Sequence, residues 1–258
     1  MNAGRLPVLI EKAVHDAGLD LIEPLPDGAF YTRVSGSDIC AWIRADRSEI
    51  WASFPIPDGG RLGLTEVGAR PLPSGMSTIG CVASAHALYL ALHAACVLQL
   101  NTPIQLSARV EARLAAIVET ERTAEVRQRI GQDVFREALF ELWDGCCAVT
   151  GIKLPPALLR ASHAKPWAKA NDVERLDPFN GLLLAVQFDA LFDAGLIAFG
   201  DDGSILMSSA LTAEMRHTLG FSGDLHLRGI SPGHLPYLRY HRRHVAKFNA
   251  DEKVPPVC

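Results

Sequence analysis

The stretch Leu158-Leu159-Arg160-Ala161-Ser162-His163-Ala164-Lys165-Pro166-Trp167, followed by Pro178-Phe179-Asn180-Gly181-Leu182-Leu183-Leu184, sets a polar side chain beside each of two short apolar runs. Leu158 to His163 reads as a strand, and Asp177-Pro178 closes a polar loop ahead of Asn180. Leu182 to Phe188 reads as a second strand, and Asp189 to Gly195 as a short helix. The order is strand, loop, strand, helix. A histidine ends the first strand and an asparagine stands at the exit of the loop.

Upstream of this block the chain reads as mostly helical from Ile104 to Trp143, with Thr102 as N-cap and Pro103 in the first helical position. The segment Glu119-Thr120-Glu121-Arg122-Thr123 is polar on every side and interrupts the apolar stripe. A domain boundary is placed there, giving an N-terminal domain over 1–120 and a C-terminal domain over 121–258. In the first of these, apolar positions from Val8 to Ala17 recur at helical spacing and Gly18 is the stop. Phe30 to Val34, Ile39 to Ile43 and Ile50 to Phe54 read as a three-stranded antiparallel meander. A Pro- and Gly-rich irregular connection follows from Pro55 to Gly75, and Ser77 to Leu100 reads as an apolar helix. The fold class is therefore α+β, with a small antiparallel sheet and an apolar helix in the N-terminal half.

Length and composition narrow the function classes. With 258 residues, 48% of them hydrophobic and 21% charged, the chain can bury a sizeable core and is far from a disordered composition. Twenty-five Lys and Arg against 29 Asp and Glu give a net charge of −4, so any contact with nucleic acid has to be local. The six cysteines form no C-x-x-C pair, and the N-terminus carries no basic stretch followed by a short apolar run. A reducing cytoplasm is the expected location. Ile79 to Leu100 lacks formal charge but holds His86, His93, Ser84 and Gln99, which favours a buried helix over a membrane span.

Several blocks fall in a specific order between Arg129 and Val245. They are Arg129-Ile130-Gly131-Gln132 with Phe135-Arg136, Cys147-Ala148-Val149-Thr150-Gly151, Ser162-His163-x-Lys165-Pro166-Trp167, Asn180-Gly181-Leu182-Leu183-Leu184, Phe192-Asp193-x-Gly195-Leu196-Ile197 and Tyr237-Leu238-x-Tyr240-His241. In this order the chain resembles the HNH endonucleases of the ββα-metal fold, and more closely their restriction-endonuclease branch. The resemblance implies a C-terminal ββα-metal nuclease domain that hydrolyses phosphodiester bonds of DNA.

Cutting a phosphodiester needs a base to activate water, a cation to stabilise charge on the phosphoryl and leaving oxygens, and a frame to hold both. His163 is assigned the base, because a neutral imidazole takes a proton near pH 7. Asp189 and Asp193, four apart on a helix, share a face and are the expected ligands of one hard divalent cation. Asn180 lies at the family's spacing ahead of Asp189, and its carboxamide is expected to orient His163. The sequence departs from the family at two places. Asp189 stands where His is usual, which favours Mg²⁺ or Mn²⁺ over Zn²⁺, and Ser162 stands where relatives often have an Asp ligand. Cys146 and Cys147 are adjacent with no second pair, so no structural zinc is expected.

Lys165, Trp167, Arg242 and Arg243 are the expected DNA contacts. Cys147 is expected to pack beneath the first strand. His86 and His93, seven apart, are read as core or groove residues. Tyr31, Trp42 and Trp51 are read as packing residues of the meander rather than base-stacking ones. The partner is duplex DNA, with base modification and homodimer assembly open, and the N-terminal half is left to specificity or assembly. Two other readings stand beside this one: a DNA-binding or regulatory protein on a degenerate HNH scaffold, and an RNA-directed toxin nuclease.

Overall fold

The computed structural model describes residues 5–45, 49–57, 59–65, 70–116, 124–221 and 225–248. The chain divides into two compact units, Met1–Leu100 and Asn101–Cys258. The polar segment 119–123, where the boundary was expected, lies outside the described residues. The unit division falls earlier, because the helix that starts at Pro103 packs on the helix that ends at Leu142 and so belongs to the second unit.

In the first unit, α1 (Val8–Asp16) buries Ile10, Ala13 and Val14 and stops at Gly18, whose φ of +93° costs an L-residue strain but not glycine. The sheet is larger than the three-stranded expectation. β1 (Leu21–Pro24), β2 (Phe30–Arg33), β3 (Cys40–Ala45), β4 (Ile50–Phe54) and β5 (Thr78–Val82) form an antiparallel meander in sequence order. Pro24 sits in the edge strand, where a missing N–H breaks no ladder. The apolar helix α2 (Ala85–Leu100) begins later than expected, because Thr78 to Val82 pairs along β4, Thr78 opposite Phe54 and Val82 opposite Ile50. A continuous apolar run does not by itself separate a buried strand from a helix, and pairing with β4 decides it. Trp42 and Trp51 are buried in a cluster with Ala29, Cys40 and Met76, so they pack, as expected. His86 and His93 are exposed on α2 and flank Tyr89, 6.2 and 5.9 Å from its ring.

The second unit starts with α3 (Pro103–Ala115), capped by Thr102, whose Oγ1 accepts from the Gln105 N–H at 3.3 Å. Leu106, Val110 and Leu114 recur at i, i+4, i+8 and are buried against the long α4 (Ala124–Leu142). The hairpin strand β6 (Leu159–His163) is followed by the single turn α5 (Asp172–Arg175) and then by β7 (Gly181–Ala185). β6 and β7 pair antiparallel, with Ser162 opposite Leu182 and His163 opposite Gly181. α6 (Val186–Asp193) follows at once. The second strand therefore ends at Ala185 and the helix starts at Val186, earlier than the Asp189 start expected. Phe188, Leu191 and Phe192 are buried at helical spacing on one face, and that packing overrides the β-type Val186-Gln187-Phe188.

β8 (Ile197–Phe199) and β9 (Ile205–Met207) form a small hairpin, and α7 (Ala213–Thr218) and α8 (Leu235–His244) complete the unit. Both α4 and α6 pack on the β6–β7 hairpin. Phe135, Leu139, Leu182, Leu183, Leu184, Phe188 and Phe192 join one core. Gly181 is required there. A Cβ on it would come within 2.5 Å of the Phe135 ring and 2.7 Å of Leu139. The protein is thus mixed α/β with small antiparallel sheets, and among the described residues no single helix is long and apolar enough to cross a membrane.

Candidate functional site

Strand alternation puts Ser162 and His163 on opposite faces of the hairpin. His163 faces α4, where its ring stacks on Phe135 at 3.8 Å and meets Trp167 edge to face at 5.5 Å. Its Nε2 lies 3.0 Å from the backbone carbonyl of Arg175. A carbonyl only accepts, so Nε2 carries the hydrogen and Nδ1 keeps the lone pair. Burial lowers the imidazole pKa to about 4, the Arg175 carbonyl offsetting part of that effect, so the ring is neutral at pH 7.

Asn180 is fully buried and all three of its hydrogen bonds go to the segment between the strands. Its Oδ1 accepts from the Lys165 N–H at 2.7 Å, and its Nδ2 donates to the carbonyls of Lys165 at 3.2 Å and Glu174 at 2.9 Å. Asn171 and Glu174 close the same segment as a reciprocal capping box. Asn180 therefore ties β7 to Glu174, next to the residue whose carbonyl holds His163. The carboxamide sets the loop; it does not touch the imidazole.

On the other face of the hairpin, Ser162 Oγ donates to Asp189 Oδ1 at 2.5 Å. Asp189 lies in the first turn of α6 and Asp193 in its last. Asp193 is open to solvent, yet partial desolvation and the Asp189 carboxylate push its carboxyl up to about 6. A divalent cation shared with Asp189 would relieve the raised Asp193 carboxyl. Among the described residues no group of three or more His, Cys, Asp and Glu side chains is arranged to hold a metal, so these two carboxylates would have to share a cation with water and substrate oxygens. Mg²⁺ accepts that arrangement, since one or two carboxylates usually hold it. Asp189 is joined to the hairpin through Ser162 rather than through His163.

The expected DNA contacts separate. Arg242 is 7% exposed, donates to the Phe199 carbonyl at 2.6 Å and pairs with Asp201, so its charge is held inside the unit and does not face a phosphate. Helical spacing explains the error, because two adjacent arginines on α8 point in different directions. Arg243, the next residue, is exposed. Lys165 is held by both Glu174 oxygens at 2.6 and 2.7 Å and lies over the Tyr240 ring, so most of its charge is met within the fold. Trp167 lies between α4 and Arg175, whose guanidinium is 5.5 Å from its ring. Cys147 is buried as expected, with the Ala185 N–H 3.3 Å from its sulfur.

Sequence reasoning missed Arg175 and Glu174. Their carbonyls receive His163 and Asn180, and a backbone carbonyl carries no side-chain signal, whereas the Glu174 carboxylate also closes the Asn171 capping box and holds Lys165. In the sequence Phe135 belongs only to a marker block, although the alternation of β6 turns His163 onto that ring.

A short hairpin and helix, with a carbonyl-held imidazole on one strand and a pair of helix carboxylates beyond it, is a frame for hydrolytic chemistry. Residues 147–200 match the family model described as HNH endonuclease, and this interval holds the hairpin, His163, Asn180, Asp189 and Asp193. Over these residues the chain is similar to HNH endonucleases, a likeness that points to nuclease chemistry in general. No curated protein matches the chain.

Proposed function

We propose that the protein is a metal-dependent DNA endonuclease in which His163 activates the attacking water. The observation that carries this reading is the Nε2–H bond from His163 to the Arg175 carbonyl, which fixes one tautomer and leaves Nδ1 able to accept a proton. Burial keeps that nitrogen unprotonated across the physiological range. Asn180 holds the segment that carries the Arg175 carbonyl, so it orients the base at one remove. Asp189 and Asp193 would hold a divalent cation, Mg²⁺ or Mn²⁺, with Ser162 steering one Asp189 oxygen. Such a cation, when bound, supplies charge stabilisation for the phosphoryl and leaving oxygens. A role in restriction or defence, with the first unit supplying specificity, extends the same proposal.

The second reading, a DNA-binding protein on a degenerate scaffold, is favoured by one observation: a serine, not a third carboxylate, faces Asp189. One experiment separates them. Purified protein is incubated with unmodified and cytosine-modified plasmid and with structured RNA, in Mg²⁺, Mn²⁺ or chelator, beside His163→Ala. Metal-dependent scission of DNA that falls about 10² to 10⁴-fold in the variant supports the nuclease. DNA binding with no scission under any metal supports the scaffold, and scission confined to RNA supports the toxin reading.

A further inference from the structure

Beside His163 lies a cavity of about 510 Å³ that the proposed chemistry does not use. Arg127, Gln128 and Gly131 of α4 line it together with Trp167, Asp172 and Arg175. Two of these residues also hold the imidazole: Trp167 by its ring and Arg175 by its carbonyl. The volume falls within the roughly 300–1,000 Å³ of small-molecule sites. Gly131 lets the Trp167 ring approach α4, since a Cβ there would come within 2.9 Å of that ring.

The lining combines four recognition chemistries. An indole offers a face for stacking a base. Guanidinium forks match phosphate oxygens. A carboxamide at Gln128 and a carboxylate at Asp172 can pair with donors and acceptors on a base edge. Arg127 is paired with Glu111 and Arg175 with Asp172, and both carboxylates stand in solvent, where such pairs yield to a better anion. A nucleotide is the ligand class that uses all four chemistries at once.

We infer that this cavity binds one nucleotide unit, its base against Trp167 and its phosphate toward Arg127, and that Trp167 and Arg175 pass its presence to His163. The binding stands on the cavity alone; the effect on His163 rests on the nuclease reading and deepens it. The nucleotide comes either free from solution or from a strand of the substrate.

The test uses the full chain, with Arg127→Gln and Gln128→Leu, neither of which touches His163, and thermal midpoints to show that both variants fold. Binding of the deoxynucleoside and ribonucleoside 5′-monophosphates is measured by equilibrium dialysis, and binding of a labelled oligonucleotide by anisotropy. Saturable mononucleotide binding that weakens about tenfold in each variant supports a free nucleotide. Oligonucleotide binding that weakens to the same degree without mononucleotide binding supports a substrate nucleotide. Variants that bind both probes like the wild type overturn the inference. Cleavage is followed in parallel. Variants that lose nucleotide binding yet cleave as the wild type does overturn the link to His163 and leave the nuclease intact. Wild-type protein that binds nucleotide but never cleaves overturns the nuclease and leaves the cavity standing.

Discussion

Replacing Phe135 by Leu should move the titration of His163 toward that of an ordinary histidine. The Phe135 ring lies flat on the imidazole at 3.8 Å with 16° between planes, and burial is the larger cause of the lowered pKa of about 4. With that value, about 90% of the imidazole is neutral at pH 5, against about 3% for a solvent-exposed histidine. Leucine leaves part of the face open to water while Trp167 and the Arg175 carbonyl remain, so the expected rise is about one to two units. The repacking itself should cost about 1 kcal/mol, which the fold can absorb. Imidazole Cε1–Hε1 NMR shifts followed from pH 3.5 to 8 read the titration whether or not the protein cleaves. The acid limb of kcat/KM for cleavage reads it again in the free enzyme. A wild-type midpoint near 6.5, or a Phe135→Leu midpoint still near 4, would refute the claim that stacking and burial hold the base neutral.

His241 is buried, stacks on Phe192 at 3.7 Å and donates from Nε2 to the Phe192 carbonyl at 2.9 Å, and burial lowers its pKa to about 4. The unfolded chain takes up the proton first, so this stability is full above about 6.5 and is lost as pH falls toward 4, amounting to about 2 kcal/mol at pH 5. His241→Gln keeps a donor without the titration, and urea melts at pH 7 and 5 should show a smaller acid loss by that amount. Asn180→Ala strands the Lys165 N–H and the Glu174 carbonyl, so chemical denaturation should show a loss of about 3 kcal/mol. Gly181→Ala overpacks against Phe135 and Leu139 and should cost about 1–3 kcal/mol in the same assay, with the His163 resonances displaced. Mn²⁺ binding followed by electron paramagnetic resonance should weaken in both Asp189→Asn and Asp193→Asn; unchanged binding in both would place the cation elsewhere.

The sequence carried the order of blocks from Cys147 to Asp193, and with it the hairpin, the helix and the four residues His163, Asn180, Asp189 and Asp193. These signals are local. Periodicity, a turn at Asp177-Pro178 and residue chemistry are written into neighbouring positions. The cap at Thr102 and the stop at Gly18 were legible for the same reason. Where a short apolar run had two local solutions, the sequence was mute: Thr78–Val82 became a strand because β4 offered it a ladder, and Val186–Phe188 became helix because α6 had a core face to bury.

Which charges face outward was also a tertiary matter, since Arg242 and Arg243 differ only in the direction α8 turns them. By itself, then, the sequence determined the chemistry available: a histidine, two carboxylates and an amide in a family order. Only the tertiary structure decided that the histidine is neutral, that its Nδ1 is the free nitrogen and that Asp189 meets Ser162. Protonation, tautomer and partner are set by burial and by backbone groups brought in from elsewhere in the chain, and neither burial nor a carbonyl's position is encoded in the residue that feels it.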